Sequence, residues 1–295
     1  MMCKKHNILI VFLLAALCAI SISFHLNHKR LKRAVTELKQ GSMQSSCFFG
    51  KRALTIMKYF APKNVVGKNL IRLGRAYDGG YVMVDDFGKC NAAYSFGISQ
   101  DVSWDLDIAR RGIDVFMYDH TIKNLPLKNE HFHFFKTGIC GTCGEDANLK
   151  TLEEILTENG HMTNQNLVLK IDVEGAEWEA FSKTPSEIIE NFSQIAVEFH
   201  GVDDVYDENK FNTILSVLKK LNVTHQVVHV HANNYGTFNV IGGVPLPNTF
   251  EVTYLRRRDN QFVPSYKCYP VQDLDMPCKP DTAELFLGFY GMFAN

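Results

Sequence analysis

Between Ala92 and Arg257, apolar runs of strand length alternate with amphipathic stretches of helix length. That alternation confines the chain to a mostly parallel sheet with helices on both faces, because parallel neighbours need a long crossover and the crossover covers the sheet. The strand-like runs fall at Ala92 to Phe96, Ile113 to Tyr118, Phe132 to Phe135, Leu167 to Val173 and Gln194 to Phe199. Between them, Val102, Leu106 and Ala109 share a helical face stopped by Gly112, and Thr151-Leu-Glu-Glu154 forms a capping box. Thr184-Pro185-Ser186-Glu187 reads as a second cap with proline at the first helical position, and Phe211, Ile214, Leu215 and Leu218 line a long helix from Glu208. Two last runs, Gln226 to His231 and Phe250 to Arg256, lack a helix-length connection and predict an antiparallel hairpin at one sheet edge. The expected fold is α/β with seven strands.

Residues 8–24 carry no charge and are just long enough to span a bilayer, with Lys4 and Lys5 before them and Lys29, Arg30, Lys32 and Arg33 after. They predict a signal anchor of type II; cleavage near Ser21-Ile22-Ser23 is the alternative. The expected organisation is a cytosolic tail and anchor (1–24), a luminal stem (25–50), an N-terminal cap (51–91), in which Asp78-Gly79-Gly80-Tyr81 turns into a strand, and the main domain (92–295). Sequons at Asn191 and Asn222, and six cysteines after the anchor, agree with the endoplasmic reticulum or Golgi. Cys268 with Cys278 is the easiest disulfide, and Cys140-Gly-Thr-Cys143 is a further disulfide or a pair of free thiols. A formal net charge of −1 supplies no field for nucleic acid.

Chemistry is expected at the end of the run Leu167-Val-Leu-Lys-Ile-Asp-Val-Glu-Gly-Ala-Glu-Trp178. There, Asp172, Glu174 and Glu177 crowd the carboxyl end of a strand, where open α/β sheets bind ligands. Gly97 follows the first strand and Asp119 ends the next, at the roughly 20-residue separation that suits a loop (Ser95 to Asp101) beside a cofactor and a carboxylate on its ribose. The loop lacks a full glycine-rich fingerprint, which fits a cofactor without phosphates such as S-adenosylmethionine.

The stretches Arg72-Leu-Gly-Arg-Ala-Tyr-Asp-Gly-Gly-Tyr81, Tyr94-Ser-Phe-Gly-Ile-Ser-Gln-Asp-Val-Ser-Trp104, Val115-Phe-Met-Tyr-Asp119, Leu169-Lys-Ile-Asp-Val-Glu-Gly-Ala-Glu-Trp178 and Val197-Glu-Phe-His200 resemble the FkbM-like methyltransferases, in particular the metazoan methyltransferase-like 24 group. The resemblance implies a Rossmann-like seven-stranded fold and S-adenosylmethionine-dependent methylation, most often of an oxygen. It also implies that Ser95, Phe96, Gly97 and Asp119 contact the cofactor and that Asp172 faces both cofactor and acceptor; Asp101 lies in the same loop.

Methyl transfer to a hydroxyl needs alignment and a destination for the proton. Asp172, Glu174 and His200 are the candidate catalytic groups. Asp172, Glu198, His200, His229 and His231, with Asn233 and Asn234 nearby, form a candidate divalent-metal set. The acceptor expected from the compartment is a glycan or other small hydroxyl compound. A luminal glycosyltransferase using Asp105-Leu-Asp107 or Asp273-Leu-Asp275 is the competing enzyme, and a non-catalytic binding protein the third reading.

Overall fold

In the computed structural model of the chain, which describes Lys32, residues 43–144 and residues 146–294, the inner strands of the main sheet form where apolar residues are buried on both faces. The chain divides into two compact units, Met1–Phe49 and Gly50–Asn295. The expected anchor at residues 8–24 lies outside the described residues, and among those described no helix is long and apolar enough to cross a membrane.

In the second unit a helix ending at Phe60 and a short strand at Lys63–Val65 precede a hairpin, β1 (Leu70–Leu73) and β2 (Tyr81–Val84), turned by Gly79 at a φ of 88°. Its central elements then follow in order: β3 (Ala92–Phe96), α1 (Ser103–Ala109), β4 (Val115–Tyr118), β5 (Phe132–Phe135), α2 (Leu152–Glu158), β6 (Leu167–Ile171), α3 (Glu177–Lys183), α4 (Ser186–Ile189), β7 (Phe192–Phe199), α5 (Glu208–Thr224), β8 (His225–Ala232) and β9 (Phe250–Arg256). Seven of these strands form one sheet in the order β8-β9-β7-β6-β3-β4-β5. From β7 to β5 every pairing is parallel, while β9 runs antiparallel to both β7 and β8. The expected edge hairpin is present, with its later strand on the inside.

One sheet face carries a stack of rings, Tyr94 on Phe116 and Phe96 on Tyr118 on Phe135, contributed by alternate positions of three strands. The opposite face packs Ala93, Val115, Met117 and Val168 against Trp104 and Ile108 of α1. The β1–β2 hairpin covers this second face further along: Gln194 of β7 exchanges side-chain hydrogen bonds with the Val84 backbone, and Thr253 of β9 donates to Val82 O. Val82 and Val84, within the expected cap, thus bond directly to the central sheet.

Several local expectations need correction. The buried face of α1 is Trp104, Asp105, Ile108 and Ala109, with Leu106 only half-buried. The capping box at Thr151 is present, but Thr184 caps nothing: its hydroxyl donates back to Ala180 O, four residues earlier in the preceding helix. Cys140 and Cys143 are joined, whereas Cys268 and Cys278 are free thiols. Neither sequon presents a free amide, because Asn191 donates to Met162 O and Asn222 to Tyr59 O and Leu218 O.

Candidate functional site

The site grows from the carboxyl ends of β3, β4, β6 and β7. Gly97 leaves β3 at a φ of 75°, and a Cβ there would stand 1.6 Å from Asp172 O, so the two chains meet as closely as backbone allows. The Asp172 N–H donates to Phe96 O, which ends β6 at Ile171, two residues earlier than the apolar run suggests. Glu174 then takes a φ of 54°, a left-handed conformation that costs a non-glycine residue about 1–2 kcal/mol.

Asp119 organises the loop after β3. Its Oδ2 accepts from Ile98 N at 2.9 Å and Ser99 N at 2.8 Å, and its Oδ1 from Thr121 N at 2.7 Å and Thr121 Oγ1 at 2.6 Å. Burial alone would raise its pKa, but the hydrogen bonds from Thr121, Ser99 and Ile98 outweigh burial and hold it below the usual carboxylate value. Four donors fill the four lone-pair directions of a carboxylate, so Asp119 has none left for a ribose hydroxyl and its role is to anchor the loop.

Three clefts open along this edge. The first, about 320 Å³, runs between Gly97, Ser99, Tyr118, Asp119, His120, Ile139 and Val173. The second, about 130 Å³, has charges of both signs, Arg75 and Lys170 against Asp78, Asp101 and Asp105. The third, about 430 Å³, is walled by Glu174, Glu198, His200, Asn233, Tyr235 and Thr249. Asp172 lines all three.

Lys170 escaped the sequence reading as an interruption of the apolar run. It is 6% exposed, donates from Nζ to Gly97 O at 2.6 Å and lies 5.7 Å from the Tyr81 ring centroid. Its charge lowers the pKa of both Asp105 and Asp172, yet burial dominates and leaves each at about 6. Asp105 Oδ1 and Ser95 Oγ are buried here without a partner.

In the third cleft, Tyr81 OH lies 3.1 Å from Asp172 Oδ2, and Asn233 donates to Glu198 Oε1 at 2.8 Å. His200 stands amid carboxylates: Nδ1 is 3.2 Å from Glu177 Oε1, and Nε2 is 3.4 Å from Glu198, 3.5 Å from Glu174 and 4.0 Å from Asp172. Trp178 fixes its backbone by donating to His200 O at 2.6 Å while stacking on Phe199. Burial would lower the imidazole pKa, but the bonds to Glu177 and Glu198 outweigh it and raise it to about 11. Burial lifts Glu198 itself to about 8. Ligand atoms of Asp172, Glu174 and His200 fall within 4.8 Å of one another, so these expected catalytic and metal-binding groups meet at one point.

The expected residues thus separate. Gly97, Asp101, Asp119 and Asp172 line the first two clefts, whereas Ser95 and Phe96 line neither, being fully buried on opposite faces of β3. Asp172, Glu174, Glu198 and His200 come together. His229 and His231 do not join them: both are buried under the C-terminal segment, His229 against Asp275 at 2.7 Å and His231 against Glu251 at 2.7 Å. The five-residue metal set is therefore two groups. The Asp-x-Asp pairs fail as well, since Asp105 is buried in α1, Asp107 accepts from Gly74 N and Arg110, and Asp275 is committed to His229.

No protein-family model matches the chain, and no curated protein does.

Proposed function

We propose that the chain is an S-adenosylmethionine-dependent methyltransferase of the FkbM-like kind, transferring the methyl group to a hydroxyl oxygen of a glycan or related acceptor. The observation that carries the reading is the meeting of three clefts at Asp172. The first has aromatic and aliphatic walls and the volume for a nucleoside. The second, continuous with it through Gly97 and Ser99, offers cations and carboxylates to a zwitterionic amino-acid tail, including the orphaned Asp105 Oδ1. An acceptor in the third would meet the joined ends of the other two at Asp172.

When bound, the cofactor supplies an activated methyl group on a sulfonium. The chain's own residues do the rest. Asp119 and Lys170 hold the loop of Gly97 to Ser99 from opposite sides, the first through its N–H groups and the second through Gly97 O. Asp172, ionised above pH of about 6, accepts the acceptor's hydroxyl proton at Oδ1 or Oδ2, oriented by Tyr81. His200 balances the charge. A second reading, a glycosyltransferase, has no observation in its favour. The same proposal sets the enzyme in the secretory pathway through residues 8–24, and a cytosolic product in fractionated cells would refute that part.

Calorimetry decides the reading: S-adenosylmethionine binds and a sugar nucleotide does not, and label from a methyl-labelled cofactor passes to glycan hydroxyls. Binding of the sugar nucleotide alone would overturn the proposal.

A further inference from the structure

The group at His231 is unlike an ordinary buried ion pair. The strand register sets Glu198, Glu251 and His231 side by side across β7, β9 and β8. From the other side, the segment after residue 270 brings Cys278 to the same point: its Sγ lies 3.1 Å from Glu251 Oε1 and 4.0 Å from His231 Nδ1. Ligand atoms of His231, Glu251 and Cys278 fall within 4.8 Å of one another, and all three residues are at most 5% exposed.

We propose that His231, Cys278 and Glu251 bind a zinc-class divalent cation that fastens the C-terminal segment to the sheet behind the third cleft. The donor set is nitrogen, thiolate and carboxylate, the mixture that zinc takes. In a tetrahedral site with metal–ligand bonds of about 2.0–2.3 Å, ligand atoms stand roughly 3.5 Å apart. The observed separations of 3.1 and 4.0 Å bracket that spacing. A second observation comes from the far side of the imidazole, where Nε2 is hydrogen-bonded to Glu284 Oε1. A histidine bound to metal through one ring nitrogen characteristically donates the other N–H to a carboxylate, which fixes its tautomer. Glu284 does this for Nδ1 ligation.

The charge balance points the same way. Asp78, Glu198 and Glu251 bring carboxylate oxygens within 4.8 Å of one another, two of the residues being buried. The hydrogen bonds to Glu251 come from His231 and Cys278 alone among the described residues. Glu198, Asp78 or water completes the coordination on the cleft side.

The test uses the full chain, purified without chelator. Elemental analysis is expected to return about one equivalent of zinc per chain, and cobalt exchanged into the protein should show a thiolate-to-cobalt charge-transfer band. C278S and H231Q should each fall below about 0.1 equivalent and lose the band, while C140S/C143S, which removes the other thiol pair, retains both. Wild-type protein that takes up neither zinc nor cobalt, or C278S that keeps a full equivalent, overturns the proposal. The wild-type measurement stands even where a variant fails to fold.

Discussion

Asp119→Asn separates two roles that a carboxylate at this position can have. In the structure its oxygens accept four hydrogen bonds, from Ile98 N, Ser99 N, Thr121 N and Thr121 Oγ1, at 5% exposure. Asparagine replaces one oxygen by a donor, so two of those four groups would face a donor whichever way the amide turns. A buried donor left unpaired costs about 1–3 kcal/mol, and Thr121 and Ser99 can turn partly to water, which gives about 3 kcal/mol in all. For a unit of this size the loss lowers Tm by about 6–12 °C. The pH dependence carries a sign. The folded pKa is depressed below 3.8, so the stabilisation is fully present above that value and is lost as pH falls through the folded one. Thermal melts from pH 8 to 5 should therefore show a constant gap between wild type and variant, closing only in strong acid. A variant that melts within about 2 °C of wild type while losing cofactor affinity tenfold would refute the reasoning, because it would mean a carboxylate free to hold ribose.

Gly97→Ala should abolish cofactor binding in calorimetry and cost at least about 3 kcal/mol, since its Cβ would meet Asp172 O at 1.6 Å and its φ is 75°. Asp172, whose burial raises its pKa to about 6, favours folding in its protonated form; as pH rises through 6 that contribution to stability is lost while the base appears. The kcat/KM profile should accordingly climb near pH 6, and Asp172→Asn should lower turnover by ~10²-fold and remove the limb. Asp275→Ala leaves His229 Nε2 and Val271 N without their acceptor and should cost about 2–4 kcal/mol by urea titration, with methyl transfer per folded molecule unchanged.

The strands and their order were legible because burial on both faces demands apolar runs, which survive translation into sequence. Asp172, Glu174 and Glu198 were legible for a related reason: they interrupt or end such runs. Lys170 interrupts one too, but its meaning depends on Gly97 O and the Tyr81 ring, partners that no local pattern names. His229 and His231 do share a strand face, as period two requires, yet what covers that face is a segment without regular periodicity, so Asp275, Cys278 and Glu284 were invisible beside them. Thr184 shows the remaining difficulty, since the same hydroxyl can cap the next helix or bond back into the last, and spacing alone does not choose.

The position of β9 inside the edge hairpin bears on biosynthesis. β8 pairs with nothing in the large sheet except β9, and β9 is the last strand of that sheet to leave the ribosome. Until Phe250 to Arg256 emerge, β7 presents an open edge and His225 to Ala232 have no ladder partner, so the sheet grows outward from β3 and β6 and is closed by insertion rather than addition. A nascent chain stalled or truncated before Phe250 would hold the loop of Gly97 and the carboxylate of Asp172 but expose an apolar strand edge, the surface that chaperones retain and that aggregates. Quality control of this protein therefore turns on its last fifty or so residues, far in sequence from the groups proposed to do its chemistry.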